Sequence, residues 1–296
     1  MKNIHLGLMV LLLSFISCNN QVNGQKASST TEGNSTLLWK ISGNGLKTPS
    51  YLFGTMHLIC ESDYFWTPAM ENALKSSKKV AFEMKLDDPT IQMKVSAGML
   101  LPADQTLKDY YNDTEYLTFE KFFQKNVGMP LSMVEKMKPM GLLSLLATKM
   151  YDCGMPSSYE QNILEKATKS KKEILGLESV EDQINVLNSV DIQASANQML
   201  KMAEEWEEMK AEQNKMVEMY KSQDIVALNQ MIEESPDYKD NLEVLLYKRN
   251  KNWIPVITQH IKKQPVFIAV GAGHLAGEMG VIQLLRNEGY TVEPIH

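Results

Sequence analysis

Short apolar runs alternate along this chain with long stretches in which apolar residues recur every three or four positions. In "LLWKISGNGLKTPSYLFGTMH", the alternation from residue 37 to 41, the turn chemistry of Ser42-Gly43-Asn44-Gly45 and the returning run from 51 to 54 predict a β-hairpin. Thr67 followed by Pro68 predicts a capped helix reaching about residue 76. "KKVAFEM" (78–84) and "KKEILGLES" (171–179) share one form: a lysine pair, an apolar run, then a glutamate. Each predicts a short buried strand. Between them, 87–169 reads as mostly helical, and Ser158 with Gln161 suggests a capping box for the last helix.

Further on, the spacing predicts one long helix over about 191–221. Its stripe is Ile192, Met199, Met202, Trp206, Met209, Met216 and Tyr220, interrupted by Ser195 and Gln213, with glutamates on the other faces. A second helical stretch, roughly 225–250 with a break at Ser235-Pro236, is expected to fold back on it as an antiparallel hairpin. A helix over 253–262, the strand "PVFIAVG", a helix over about 276–287 and the strand "YTVEPI" complete the chain. Strands early, in the middle and late, with helices between, make the fold class α/β. A mixed sheet is expected, with active-site residues at strand C-terminal ends and helical insertions at about 87–170 and 190–262, the second including the long hairpin. No repeat of solenoid period is visible.

The first residues do not belong to that pattern. Lys2 precedes an apolar run from 6 to 16, too short to span a bilayer and shaped like a secretory signal. It ends at Ser17-Cys18, which resembles a bacterial lipoprotein signal in which Cys18 carries the lipid; ordinary cleavage near Gly24 is the alternative. The expected organisation is therefore a leader at 1–17, a polar flexible tether at 18–36 and one domain at 37–296. Such a chain sits in the bacterial cell envelope, in the periplasm or at the surface, held to the membrane through Cys18.

Composition narrows the function. Of 296 residues 44% are hydrophobic and 22% charged, which is ordinary globular material. A formal net charge of −6 with no basic stripe argues against a nucleic-acid partner. Twenty methionines are read as gap-filling residues of helical cores. Cys60 and Cys153 in an exported chain invite a disulfide; two separate buried thiols, or Cys60 as a metal ligand, are the alternatives.

The chemistry-bearing residues stand at the strand ends. The first strand pair ends in Gly54-Thr55-Met56-His57, and the late strand ends in Gly271-Ala272-Gly273-His274. The lysine-bounded strands end in Glu83 and Glu178. Ligand sites of α/β sheets lie outside the carboxyl ends of strands. Two imidazoles and two carboxylates there are a metal-site composition suited to Zn, Mn, Co or Fe(II). The glycines are expected to let the backbone turn sharply and approach a ligand. Taken singly, each of these residues has a plain structural reading: a hydrogen-bonded histidine or an exposed glutamate.

Five stretches carry a family resemblance: "LLWKISGNGLKTPSYLFGTMHL", "VAFEM", "ILGLESVEDQINVL", Arg249-Asn250 with Trp253, and "FIAVGAGHLAGEMGVIQLLRNEGYTVEPI". Together they resemble the TraB/PrgY/GumN family and, more distantly, the animal Tiki metalloproteases. The resemblance covers nearly all of 37–295 and is specific at the two ends. It implies a metal-dependent hydrolase, and a peptidase acting on a peptide or protein substrate. His57, Glu83 and His274 are the implied ligands of a divalent Mn, Co or Zn ion. In that mechanism Glu178 is the expected general base, and Arg249 or Asn250 holds a substrate carboxylate or the developing oxyanion. Glu278 is a spare ligand. The other class kept open is a non-catalytic surface lipoprotein that binds or sequesters a peptide or a metal.

Overall fold

A computed structural model of the chain describes residues 36–235 and 241–296. The expected leader, Cys18, most of the tether and Pro236 lie outside the described residues. The hairpin forms as β1 (Leu38–Gly43) and β2 (Ser50–Thr55), antiparallel with Leu38 opposite Phe53. β3 (Lys79–Phe82), β4 (Glu173–Gly176), β5 (Val266–Gly271) and β6 (Tyr290–Ile295) complete one six-stranded mixed sheet in the order β4-β3-β5-β2-β1-β6. The first four of these positions are mutually parallel, and β1 and β6 are antiparallel to each other. Every residue of β5 is buried, as befits a strand paired on both sides.

Register decides where the strands stop. Phe82 lies opposite both Gly176 and Ala269, and Thr55 lies opposite Gly271. The four parallel strands therefore end together at one edge of the sheet.

Helix α1 (Pro68–Ser76) starts as expected, with the Thr67 hydroxyl accepting from Met70 N–H. The helical insertion after β3 resolves into α2 (Ile91–Gly98), α3 (Asp113–Val127), α4 (Pro139–Ala147) and α5 (Tyr159–Lys169). α5 is capped by Ser158, which accepts from Gln161 N–H. After β4 follow α6 (Val180–Asn188), α7 (Ile192–Glu204), α8 (Trp206–Lys221) and α9 (Ile225–Glu234).

The single long helix expected over 191–221 is two helices, broken at Glu205, whose φ of −107° and ψ of 25° leave the helical basin. The stripe continues across the break: Met199, Met202, Trp206, Met209, Met216 and Tyr220 are all buried. Ser195 and Gln213, which looked like interruptions, are buried too, and Gln213 donates to the Tyr151 hydroxyl. Burial per apolar side chain is worth roughly 1.5–3 kcal/mol, and methionine's flexibility lets one stripe fill an uneven interior.

A π-helical turn (Glu243–Tyr247) leads into α10 (Lys248–Ile261), which runs unbroken through Pro255. The helix expected only from 253 thus starts five residues earlier. It tolerates Pro255 because that residue and Lys251, whose carbonyl loses its donor, are exposed. The helix expected over 276–287 is only α11 (Val281–Asn287); a short 3-10 turn at Ala272–His274 precedes it.

One aromatic cluster ties the sheet to its cover. The Phe53 ring lies 5.6 Å from Trp66, 5.7 Å from Tyr159 and 6.0 Å from Phe267. A disulfide joins Cys60 to Cys153. No helix among the described residues is long and apolar enough to cross a membrane.

Candidate active site

The shared strand edge gathers what the chain carries there. Glu83 follows β3 directly, and its Oε1 accepts from Gly271 N–H at 2.9 Å, which ties β3's exit to β5's. Glu178 N–H donates to the Glu83 carbonyl, so the end of β4 folds over the end of β3. That crossing needs Gly176: a Cβ there would sit 2.6 Å from Lys85 N. Gly54 has a different reason. A Cβ there would meet Leu275 Cδ1 at 2.7 Å and Ala272 Cα at 3.1 Å, so glycine lets the His274 segment pack on β2. Gly271, by contrast, has φ −51°, open to any residue, and its contribution here is the N–H given to Glu83. At Gly54 the expectation of a sharp turn is replaced by one of close approach.

Arg249 enters this edge from α10 and organises it. Its Nη2 lies 2.6 Å from Glu83 Oε2 and 2.5 Å from Glu178 Oε1, and its Nε donates to both Glu178 oxygens. Its Nη1 donates to the Leu245 carbonyl in the π turn and lies 3.3 Å from His274 Nε2. Trp253, one turn along α10, donates its indole N–H to Glu178 Oε2 at 3.0 Å. The same ring underlies the guanidinium at 4.9 Å and packs 4.5 Å from the His274 ring. Gln183 of α6 adds a bond to Glu83 Oε2 at 3.2 Å.

Asn250 does not face the site as a free donor. Its Oδ1 lies 2.6 Å from His274 Nδ1, and its amide nitrogen donates to the Met279 carbonyl. An amide oxygen only accepts, so His274 Nδ1 carries the proton and Nε2 keeps its lone pair. His57 is held in the same way by another group. Its Nδ1 lies 2.8 Å from Glu160 Oε1. Glu160 also accepts from the Thr55 and Ser158 hydroxyls.

The electrostatics follow from burial and neighbours. Burial alone would lower His57, but the Glu160 charge and hydrogen bond outweigh it and push the imidazole up to about 9. Burial pulls His274 down to about 3, with Glu83 only partly opposing it, so this ring is neutral. For Glu83, burial would raise the carboxyl, but the Arg249 charge, the neighbouring histidines and the Gly271 N–H together outweigh it and hold it well below the usual carboxylate range.

The structure brings His57, Glu83, Glu178, Arg249, Asn250 and His274 to one sheet edge. Glu278 sits in the exposed turn before α11, not on the helix, and takes no part. One contributor escaped sequence reasoning altogether. Glu160 lies in a capped helix start with no strand pattern around it, and 103 residues separate it from His57. Trp253 was visible as part of a motif, but its bond to Glu178 was not.

The donor chemistry fits a divalent ion. Two imidazoles have Nδ1 tied to an oxygen, which is the usual arrangement behind ligating Nε2 atoms, and the Glu83 carboxylate lies 3.8 Å from His274 Nε2. Among the described residues, however, no three His, Cys, Asp or Glu side chains are gathered at metal-ligand spacing. Arg249 takes the carboxylates instead.

Comparison with known proteins agrees with the motifs. The chain is 25% identical to Metalloprotease TIKI1 of Danio rerio, over 92% of this chain and 65% of that protein. It is 26% identical to Metalloprotease TIKI2 of the same fish, over 87% of this chain and 60% of that protein. A Metalloprotease TIKI homolog of the sponge Amphimedon queenslandica is 23% identical over 96% of this chain and 67% of that protein. The chain thus spans somewhat less than two thirds of the two Danio relatives. No solved structure matches. The TraB/PrgY/gumN family model matches residues 37–294, nearly the whole described domain, and the chain belongs to that family.

Proposed function

We propose that this chain is an exported metal-dependent hydrolase of peptide bonds, with His57, Glu83 and His274 holding a divalent Mn, Co or Zn ion. One observation carries the reading. Two histidines at the ends of neighbouring parallel strands each have Nδ1 bound to an oxygen acceptor, which leaves Nε2 as the atom to ligate, and His274 Nε2 lies 3.8 Å from Glu83. The names of the curated relatives point the same way. A divalent ion there would supply an activated water and a Lewis acid for a carbonyl oxygen.

The chain's own residues divide the remaining work. Asn250 fixes the His274 tautomer, so it is a positioning residue and not a substrate clamp. Arg249 must release Glu83 for that carboxylate to ligate, and it then has donors for the substrate's carbonyl oxygen or carboxylate. Glu178 is the proposed base. In the structure both its oxygens are engaged, Oε1 by Arg249 and Oε2 by Trp253 as well as Arg249 Nε. When Arg249 turns to substrate, Oε1 is freed to take a proton while Trp253 keeps Oε2 in place. A peptide is the proposed substrate class.

Export with a lipid on Cys18 is part of the proposal. The Cys60–Cys153 disulfide supports the export part alone, because such bonds persist in oxidising compartments.

The test is metal content and peptide cleavage by the purified protein. Wild type is expected to bind one divalent ion per chain and to cleave members of a peptide library in a chelator-sensitive way. His57→Ala and His274→Ala should lose both properties. Full metal retention in both variants, with no cleavage by wild type under Mn, Co or Zn, overturns the reading. Metal binding by wild type without cleavage selects the sequestering lipoprotein instead.

A further inference from the structure

Glu160 is a buried charge with no part in the proposed ligand set. It stands in the first turn of α5, far from any strand end, yet its carboxylate is built into the exit of β2. Oε1 accepts from the Thr55 hydroxyl at 2.5 Å and meets His57 Nδ1 at 2.8 Å, and Oε2 accepts from the Ser158 hydroxyl at 2.9 Å. Only 14% of its side chain is exposed, against 19% for His57. A carboxylate at that depth is costly unless fully partnered, so its presence calls for a use.

The two segments that carry this pair are tied together several times. The Tyr151 hydroxyl donates to the Leu58 carbonyl at 2.7 Å. Ile59 and Ser157 form an isolated antiparallel bridge, with N–H to carbonyl distances of 2.9 and 2.7 Å. The Cys60–Cys153 disulfide closes the end of this seam. All three ties join 58–60 to 151–157, the stretches beside His57 and Glu160 in the chain. The seam therefore fixes the distance between a histidine on the sheet and a carboxylate on a helix.

We infer that Glu160 is a positioning residue that sets the ring orientation of His57 and holds a proton on its Nδ1, and that the Cys60–Cys153 disulfide braces the pair. The inference rests on the reading of His57 as a metal ligand. A carboxylate behind Nδ1 makes the imidazole more basic at Nε2 and stops the ring from flipping, and loss of such a partner typically costs about 10–100-fold in metal affinity. A disulfide placed here makes that positioning sensitive to reduction.

Two readouts separate this from a merely structural role. The first is proton NMR of the metal-free full chain with 15N-labelled histidine, in which a carboxylate-bound His57 Nδ1–H appears far downfield. The second is cobalt affinity by titration. Wild type should show the downfield proton, and Glu160→Ala should lose it and bind cobalt about 10–100-fold more weakly. Glu160→Gln keeps an accepting oxygen and the side-chain shape, so it should fold if Glu160→Ala does not and should restore part of the affinity. The double variant Cys60→Ser/Cys153→Ser should broaden the same proton. An unchanged His57 signal in Glu160→Ala, or cobalt affinity within about twofold of wild type, overturns the inference. If wild type binds no cobalt, the metal reading falls, and the His57 proton still decides whether Glu160 positions the ring.

Discussion

Arg249 is buried with two carboxylates on its guanidinium and a third contact on His274 Nε2. A buried carboxylate pair without its cation is expensive, and removal of one partner of such a network costs about 3–5 kcal/mol. Arg249→Met should destabilise the metal-free protein by about that much in urea unfolding. A divalent ion that binds Glu83 should restore part of the loss, so the variant's metal-induced gain in stability should exceed that of wild type. An equal gain in both proteins would mean that Arg249 and the ion do not compete for the same carboxylate. A second residue-scale effect concerns Glu71 of α1. Glu71 accepts from the Trp66 indole and from Lys166, and these bonds lower its carboxyl from the ordinary 4.5 to about 2. A depressed carboxyl adds stability that is complete above pH 4.5 and fades as pH falls toward 2. The melting temperature of Glu71→Gln should therefore lie below wild type at neutral pH, and the gap should shrink across that acid window. A gap that is constant with pH would show that Glu71 acts by shape and not by charge.

At the scale of elements, what matters is which segments are joined. Four parallel strands end in register, and each hands one polar residue to the same edge. The π turn before α10 carries the carbonyl that holds Arg249, so an irregular turn of helix sets the direction of the residue after it. The disulfide closes a loop with a sequence separation of 93 between β2's exit and the lead into α5. Closing a loop of that length restricts the unfolded chain by roughly 4–5 kcal/mol in the entropy model, and measured values are often about 2–4 kcal/mol. Cys60→Ser/Cys153→Ser should thus melt roughly 5–15 °C lower by calorimetry. A shift within about 2 °C would place the stabilisation of this seam in Tyr151 and the Ile59–Ser157 bridge. Much of this scale is legible in the sequence. The hairpin, α1 with its Thr67 cap, and the strands at both lysine pairs follow from local pattern. The break at Glu205 was not legible, because the apolar stripe runs straight through it and only packing bends the chain there.

At the scale of the whole molecule, the sheet gathers residues from 57 to 274 at one edge, and helices inserted after β3 and β4 bring Glu160, Gln183 and Arg249 to it. The proposed anchor on Cys18 would hold this domain to a membrane by a polar tether. Expression of the full chain in a bacterial host should give detergent-phase partitioning and a lipid mass on Cys18, and Cys18→Ala should move the protein to the aqueous phase. Partition of both forms to the aqueous phase would sink the lipoprotein reading. By itself the sequence determined the α/β class, most strand positions and the residues that stand at strand ends, because these depend on the spacing of neighbouring side chains along a strand or helix. It also pointed to a disulfide between Cys60 and Cys153, with buried thiols or a metal ligand as alternatives. Only the tertiary structure decided how those residues engage. His57 meets Glu160, His274 meets Asn250, and Arg249 takes both Glu83 and Glu178. Those partners come from α5 and α10, and helix faces converge on a sheet edge through packing, which no local pattern records.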